Sequence, residues 1–261
     1  GLGAASGVGR PAAAAASTTT AAAAAAAFTA TASDRSYGPL LQGPFEFGFP
    51  LRAPSRATVR RELVAGRIWS FEQVQGVIYV HVPVRMTVVR LDDGGLFVYA
   101  PLAPTAECLR LLAELEAEVG PVRHILLPTL AIEHKSFAGA FAAQRPYAQL
   151  WVAPSQYSFP VDLPLTLQGF PAKTRVLPPP EEGVAGGAVP WAKQLPYKVL
   201  GPLREKVGAF VEVVCFDTAT SSLLVTDLVT SVPATPPAIL AANDVRALLY
   251  HSRDVPSEVP I

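Results

Sequence analysis

Strand-like and helix-like segments alternate in the middle third of the sequence, and this alternation constrains the fold more than any other feature. Apolar runs at residues 96–100, 122–127 and 148–153 have the length of strands, and the second is nearly continuous, as in a strand buried inside a sheet. Helices are predicted between these runs, at residues 105–119 and 136–145. Strands and helices that alternate in this order predict an α/β sandwich.

The first of these helices has clear end signals. Thr105 is the predicted N-cap, and Glu107 places negative charge in the first turn, where the helix dipole favours it. Gly120 is suited to end the helix, and Pro121 prevents its continuation.

Two β-hairpins are predicted on either side of this region. In the first, an Asp-Asp-Gly-Gly turn joins residues 76–91 to residues 96–100. Residues 76–91 are predicted to form two strands interrupted at Pro83, because proline cannot donate to a central ladder. The second hairpin joins residues 210–216 to residues 223–227.

The chain is predicted to hold one folded domain between two low-complexity ends. Residues 1–58 form a leader, and residues 1–33 contain no Asp or Glu, one Arg and long runs of Ala with Ser and Thr. That composition is typical of an organellar transit peptide, and the alternative is a disordered tail without a targeting function. Residues 59–232 form the domain, in which the proline-rich residues 154–202 make a long surface excursion, and residues 233–261 form a Pro-rich tail with a short helix.

The charge balance and the apolar runs exclude two classes of partner. The sequence has 21 basic and 21 acidic residues, so it lacks the basic surface that a nucleic acid requires. Its apolar runs are far shorter than the ~20 residues of a membrane helix, so no transmembrane segment is predicted. Cys108 and Cys215 are predicted to be buried as small apolar residues, and no feature of the sequence calls for a disulfide between them.

Two positions at strand ends are candidates for chemistry. Glu133, His134 and Lys135 are predicted to lie in a loop after the strand at residues 122–127, and Asp227 ends the last predicted strand. Ligand sites gather at the carboxyl ends of strands in α/β sheets. The alternative for Glu133, His134 and Lys135 is that they are an incidental charged triplet in an exposed loop. The alternative for Asp227 is that it caps the segment that follows it. The other histidines, His81, His124 and His251, are predicted to be structural or exposed.

Several blocks of the sequence, in order and spacing, resemble a family of plant, algal and cyanobacterial proteins that carries a domain-of-unknown-function label. These blocks are residues 69–73 (WSFEQ), 84–91 (VRMTVVRL), 95–101 (GLFVYAP), 124–129 (HILLPT), 133–135 (EHK) and 223–227 (LLVTD). The family is similar in fold to the metallo-β-lactamase superfamily. The resemblance implies an αββα sandwich in a plastid-targeted protein, here apparently incomplete at the C-terminus, as in a truncated chain.

The same resemblance implies a defective metal centre. The hydrolases of the superfamily carry an HxHxDH motif after the strand that corresponds to residues 124–128. Here Glu133 and His134 correspond to its final Asp-His pair, whereas Thr129 and Ala131 stand at the two earlier histidine positions, and neither replaces an imidazole on zinc. Asp227 matches the bridging aspartate of the superfamily by position.

Two functions are therefore expected from the sequence. The first is a chloroplast protein with a degenerate metallo-β-lactamase-like domain, without a complete dinuclear metal site, that has a binding or scaffold role toward a protein partner or a small molecule. The alternative is a mononuclear metal-dependent hydrolase that uses His134, Asp227 and Glu133 as ligands of zinc, iron or manganese. The sequence specifies neither the substrate nor the metal.

Overall fold

A computed structural model describes residues 30–37, 56–77, 80–158, 161–205, 208–230 and 238–241. Seven strands form the larger sheet and follow one another across it in chain order. The first four pair antiparallel, and the fourth to the seventh pair parallel. They are β1 (Val59–Val64), β2 (Ile68–Val77), β3 (Val80–Arg90), β4 (Leu96–Tyr99), β5 (Val122–Leu127), β6 (Gln149–Val152) and β7 (Arg175–Val176).

The predicted break at Pro83 is wrong. Pro83 lies inside the continuous strand β3, opposite Val74 of β2. The neighbouring strand β4 pairs only with residues 87–90 of β3, so the part of β3 that contains Pro83 is bonded on one side, to β2. A proline on such a locally unpaired edge removes no ladder hydrogen bond. The predicted hairpin between β3 and β4 is confirmed.

The parallel half of the sheet is built as the alternation predicts. Helix α1 (Ala106–Val119) connects β4 to β5, and the Thr105 side chain accepts a hydrogen bond from the Cys108 N–H at its start. Gly120 ends the helix with a φ of 132°, and a Cβ there would collide with the carbonyl oxygen of Gly94. Only glycine therefore fits at this turn.

Helix α2 (Ile132–Ala143) begins four residues earlier than predicted and connects β5 to β6. Glu133, His134 and Lys135 therefore lie in its first turns and not in a loop. The Thr129 hydroxyl accepts the Ala131 N–H at 3.1 Å, and the Lys135 N–H donates to the Ala131 carbonyl at 3.0 Å. The chain thus turns into the helix as soon as it leaves β5.

A second sheet of three antiparallel strands packs on the larger sheet. It consists of β8 (Tyr197–Glu205), β9 (Gly208–Asp217) and β10 (Ser222–Leu224), in the order β10-β9-β8. The predicted second hairpin is confirmed by the β9–β10 pair. Strand β10 ends at Leu224, so Asp227 follows the strand by three residues.

Two hydrophobic cores lie on opposite faces of the larger sheet. Side chains of α1 and α2 pack on one face, and side chains of the smaller sheet pack on the other. Cys108 is buried in the first core and Cys215 in the second, as predicted, and both are free thiols.

Residues 154–202 do not form the surface excursion that was predicted, because they contribute buried side chains to both cores. The buried residues are Phe170, Leu177, Val189, Trp191, Leu195 and Tyr197. The segment contains a 3₁₀ turn at Leu165–Gln168 and a π-helical turn at Glu181–Ala185. Large apolar side chains, placed between prolines, anchor this irregular chain to the sheet.

The predicted α/β class is confirmed, with a helical layer, a large sheet and a smaller sheet. Helix α3 (Ala238–Ala241) packs beside Val74 of β2, and among the described residues it is the only helix that follows β10. The rest of the predicted C-terminal helix lies outside the described residues. Across the described part of the chain, no helix has the length and apolar character needed to span a membrane.

Residues 30–37, predicted to belong to the leader, contact the domain. The Arg35 guanidinium pairs with the buried Glu107 carboxylate at 3.2 Å, and the Glu107 N–H donates to the Asp34 carbonyl at 3.0 Å. Tyr37 packs edge-on against the Phe137 ring. Residues 1–29, which carry most of the predicted transit peptide, lie outside the described residues.

Candidate functional site

The carboxyl ends of β4 and β5 meet the smaller sheet. Thr129, just after β5, forms an isolated antiparallel bridge with Glu212 of β9. The Val213 N–H donates to the Pro128 carbonyl at 2.7 Å, and the Tyr99 hydroxyl donates to the Val213 carbonyl at 2.8 Å. We call these five residues the strand-end junction, because they join the two sheets where the parallel strands end.

Glu212 is the buried acid of this junction. Its side chain is fully buried, and its carboxylate accepts the backbone N–H groups of Thr226, Asp227 and Leu228 at 2.7, 3.0 and 2.8 Å. A buried carboxylate is stable when backbone donors satisfy it in this way. Glu212 therefore fixes the loop that follows β10 and places Asp227 beside the junction.

The Asp227 carboxyl has a different environment. Asp227 is an exposed residue, and no residue that the structure describes donates a hydrogen bond to its carboxylate or pairs with its charge. Partial desolvation of its carboxyl raises the pKa of Asp227 to about 6, and the charges of Glu133 and Glu212 add to that rise. A fraction of Asp227 is thus protonated near neutral pH.

His134 is buried in the first turn of α2, with 6% of its surface exposed. Its Nδ1 atom has no hydrogen-bond partner within the described ranges. Burial lowers the pKa of His134, and the charges of Glu133 and Glu212 oppose this effect. The imidazole is therefore neutral at pH 7, and one of its nitrogens is an acceptor.

The structure places the three predicted site residues at the same end of the sheet. Glu133 is partly exposed, and its charge acts on both His134 and Asp227. The shared influence of Glu212 on the same two side chains places all four groups within electrostatic reach of one another.

A metal centre of the kind that the sequence resemblance implies needs at least three protein ligands on a metal ion. In the part of the chain that the structure describes, no three His, Cys, Asp or Glu side chains are grouped so that they could hold one metal ion. Thr129 is buried, and its hydroxyl is bonded to the Ala131 N–H. Both oxygens of Glu212 accept backbone N–H groups, so this carboxylate is committed to the loop.

Lys135 and Gln156 bond to segments next to the strand-end junction. The Lys135 ammonium donates to the Tyr157 carbonyl and to Gln168 Oε1, and burial lowers the pKa of Lys135 to about 8. The buried Gln156 amide donates to the Thr129 carbonyl at 3.1 Å, while its Oε1 has no partner among the described residues.

The remaining histidines lie elsewhere. His124 is in β5, where the Trp151 indole N–H donates to its Nδ1 at 3.5 Å and burial lowers the pKa of His124. This is the structural role that was predicted. His81 belongs to β3, and its side chain is not described. His251 lies outside the described residues.

Sequence reasoning missed Glu212. The available signal was an acid in the middle of the apolar run at residues 210–216. Alternation along β9 puts Val211, Val213 and Cys215 in the core and therefore predicts that Glu212 faces outwards. The loop after β10 covers that face locally and buries the carboxylate.

Comparisons with solved structures found metallo-β-lactamases. The FIM-1 enzyme from Pseudomonas aeruginosa, in its mono-zinc form, is 11% identical with a TM-score of 0.42, and the match covers 60% of this chain and 63% of that enzyme. The metallo-β-lactamase from Pontibacter korlensis is 12% identical with a TM-score of 0.45, covering 73% and 81%. The enzyme from Hirschia baltica is 12% identical with a TM-score of 0.45, covering 64% and 69%.

The present chain thus spans less than two thirds of the FIM-1 enzyme. A search among curated proteins gave no match. The profile of the domain of unknown function DUF4336 matches residues 65–261, about three quarters of the sequence. The chain therefore belongs to the DUF4336 family.

Proposed function

We propose that this protein is a ligand-binding protein of metallo-β-lactamase-like fold that works without a dinuclear metal centre. The observation that carries the proposal is the bonding of Glu212, whose carboxylate is bound by three backbone N–H groups. One of the two acids whose charges act on His134 and Asp227 therefore serves to position a loop. The Asp227 carboxyl and the His134 Nδ1 atom are left to contact a ligand.

The residues at the earlier positions of the metal motif support the same conclusion. Thr129 belongs to the strand-end junction through its bridge to Glu212 and its bond to Ala131. A threonine held in this way supplies no imidazole, and the Ala131 side chain supplies no ligand atom. The partner of such a site is a small molecule or a protein segment.

A mononuclear metal site is the second candidate, and one observation favours it. Glu133 and Glu212 both raise the pKa of Asp227, so negative charge is concentrated beside the neutral His134. A divalent cation would relieve that repulsion. The three side chains are not grouped around one point in the structure, so His134, Asp227 and Glu133 would have to move together to hold zinc, iron or manganese. The metal would then supply a polarised water for hydrolysis.

Calorimetric titration of the full-length chain with zinc, manganese and anaerobic iron(II) distinguishes the two functions. The full chain is required because Asp34 and Arg35 contact α1. Weak heats that are the same in wild type, His134→Ala and Asp227→Ala support the metal-free proposal. Binding near one ion per chain that both substitutions abolish, and that the exposed-acid control Glu118→Gln retains, supports the mononuclear site.

We also propose that the protein is directed to the chloroplast by its leader. The support is the acid-free, Ala-, Ser- and Thr-rich composition of residues 1–33. Import of radiolabelled protein into isolated chloroplasts tests this, and we expect a protease-protected product that retains Asp34 and Arg35. A protein that stays protease-sensitive outside the organelle would contradict it.

A further inference from the structure

We propose that the outer face of the smaller sheet binds the same face of a second copy of this chain and so forms a two-fold symmetric dimer. The inner face of this sheet packs on the larger sheet, and the outer face points away from it. Leu200 of β8, Val214 and Phe216 of β9 and Leu223 of β10 lie on the outer face. We call these four residues the outer-sheet patch. The inference is independent of the ligand that the strand-end junction binds.

The register of the strands places these side chains on one face. Side chains alternate along a strand, and directly paired residues of neighbouring strands point to the same side of the sheet. Val213 and Cys215 of β9 are buried in the second core, so Val214 and Phe216 point outwards. Leu223 of β10 is the direct partner of Phe216. Their Cβ atoms are therefore expected within about 5.5 Å of each other, so the two side chains form one continuous apolar surface.

The loop after β10 covers only one end of this face. Leu200 pairs with Glu212, which the same alternation places on the outer face of β9. The loop at residues 226–228 lies over that end, because its N–H groups bind the Glu212 carboxylate. At the other end, Phe216 and Leu223 are 39% and 59% exposed. The open part of the face therefore lies towards the β9–β10 turn.

The described helices pack elsewhere. Those of the helical layer lie on the far face of the larger sheet, and α3 lies beside Val74. None of the hydrophobic clusters formed by the described residues contains a member of the outer-sheet patch. Single exposed apolar residues are normal on a protein, whereas contiguous ones mark an interaction surface. The pair formed by Phe216 and Leu223 is of the second kind.

The charge of the chain favours a second copy as the partner. The sequence has 21 basic and 21 acidic residues, so two copies carry no net charge that would drive them apart at neutral pH. The patch itself is uncharged. Lys198, the partner of Val214, is exposed on β8 at the edge of the sheet, where it would remain in water at the rim of an interface. A highly charged partner would find no counterpart at the centre of this face.

The size of the face predicts a reversible dimer. Two sheet faces stack with interdigitating side chains, so the patch is complementary to a copy of itself. Three strands, the longest of nine residues, span an area on the order of 400 Å². A stable interface buries about 800 Å² on each partner, so this contact belongs to the weak, transient class. We therefore expect a dissociation constant on the order of 10 µM.

Sedimentation equilibrium of the full-length protein, at concentrations that bracket this dissociation constant, tests the proposal. We expect the weight-average mass to rise from that of the monomer to that of the dimer. Phe216→Lys and Leu223→Lys each place a charge in the centre of the contact and should raise the dissociation constant at least about tenfold. Leu63→Lys is the matched control, because Leu63 is 51% exposed on β1 of the larger sheet, and this variant should dimerise as wild type does.

Cross-linking tests the face directly. Cys108 and Cys215 are buried, so Leu223→Cys supplies the one accessible thiol among the described residues, and Leu63→Cys is its control. We expect a bismaleimide to give covalent dimers of Leu223→Cys and not of Leu63→Cys. Thermal melting checks that each variant is folded.

Three results would overturn the proposal. The first is a wild-type protein that is monomeric at every concentration. The second is a dimer that Phe216→Lys and Leu223→Lys leave unchanged, or that Leu63→Lys weakens as much as they do. The third is a monomeric wild type whose melting temperature Phe216→Lys lowers, which would mean that another part of the same chain covers the face.

Discussion

Glu212 and Asp227 are neighbouring acids with opposite environments. Glu212 is fully buried inside the strand-end junction, and three backbone N–H groups bind its carboxylate, one of them from Asp227 itself. Asp227 is an exposed residue of the same loop, and partial desolvation of its carboxyl raises its pKa to about 6. Glu212 holds the loop in place, and Asp227 is a residue of that loop.

The difference shows that an acidic side chain can either stabilise the fold or remain free to contact a ligand. Backbone donors compensate the loss of water around Glu212, so that its charge contributes to folding. No such donors reach Asp227 from the described residues, so its charged form is disfavoured. Burial and backbone partners together separate the positioning acid Glu212 from the candidate ligand-binding acid Asp227.

The largest effect should come from Glu212→Gln. The amide keeps the shape but removes the charge and turns one acceptor into a donor that faces backbone N–H groups. We expect the free energy of unfolding to fall by about 3 kcal/mol. Urea unfolding measures it, with Glu133→Gln as the matched control that changes little. A loss below about 1 kcal/mol would remove Glu212 from its structural role.

Glu107, in the first turn of α1, provides a second structural acid. It is buried, and it accepts the Thr58 N–H at 2.7 Å and the Arg35 guanidinium at 3.2 Å. We expect Glu107→Gln to lower the free energy of unfolding by about 2 kcal/mol and Arg35→Ala by about 1 kcal/mol or less, because Arg35 is partly exposed. Equal and negligible losses in urea unfolding would show that residues 30–37 do not stabilise the domain.

Asp227→Asn should increase the free energy of unfolding, in contrast to the substitutions at Glu212 and Glu107. A carboxyl with a raised pKa binds more protons in the folded than in the unfolded chain, so wild type loses stability as pH rises through the interval from about 4 to 6. The amide does not ionise, so the variant should be more stable at neutral pH by about 1 kcal/mol, a value reduced for solvent screening because Asp227 is an exposed residue. Urea unfolding at neutral pH and near pH 4 tests this, and the difference should shrink at the lower pH. A variant less stable than wild type at neutral pH would contradict the assignment.

The smallest effect should come from His134→Leu. The imidazole Nδ1 has no partner within the described residues, so an apolar side chain of similar size sacrifices no hydrogen bond there. We expect the free energy of unfolding to change by less than about 1 kcal/mol. Thermal and urea unfolding measure it. A loss of several kcal/mol would mean that His134 is a structural residue and not part of a binding site.

Sequence reasoning predicted the local elements that have strong end signals. Thr105 and Gly120 bound α1 as expected, and the Asp-Asp-Gly-Gly turn joins β3 to β4. It failed where tertiary context decides the outcome. Pro83 is tolerated because β4 is too short to reach it, and α2 starts early because Thr129 turns the chain directly after β5.

The candidate site could be predicted only in part, for a similar reason. The positions of His134 and Asp227 after strands point to the carboxyl edge of the sheet, where both are found. Glu212 was missed because alternation along β9 predicts an exposed side chain, whereas the distant loop at residues 226–228 folds over it. The alternation of side chains along a strand predicts which of them face the core. It does not predict which loops cross the outer face of the sheet.

The metal content of the purified full-length protein, measured by elemental mass spectrometry, tests the central claim most directly. We predict far less than one zinc, iron or manganese per chain, at a level that His134→Ala and Asp227→Ala do not change. Metal at close to one equivalent per chain, lost in both variants and kept in Glu118→Gln, would contradict the metal-free binding function. It would also establish His134 and Asp227 as metal ligands.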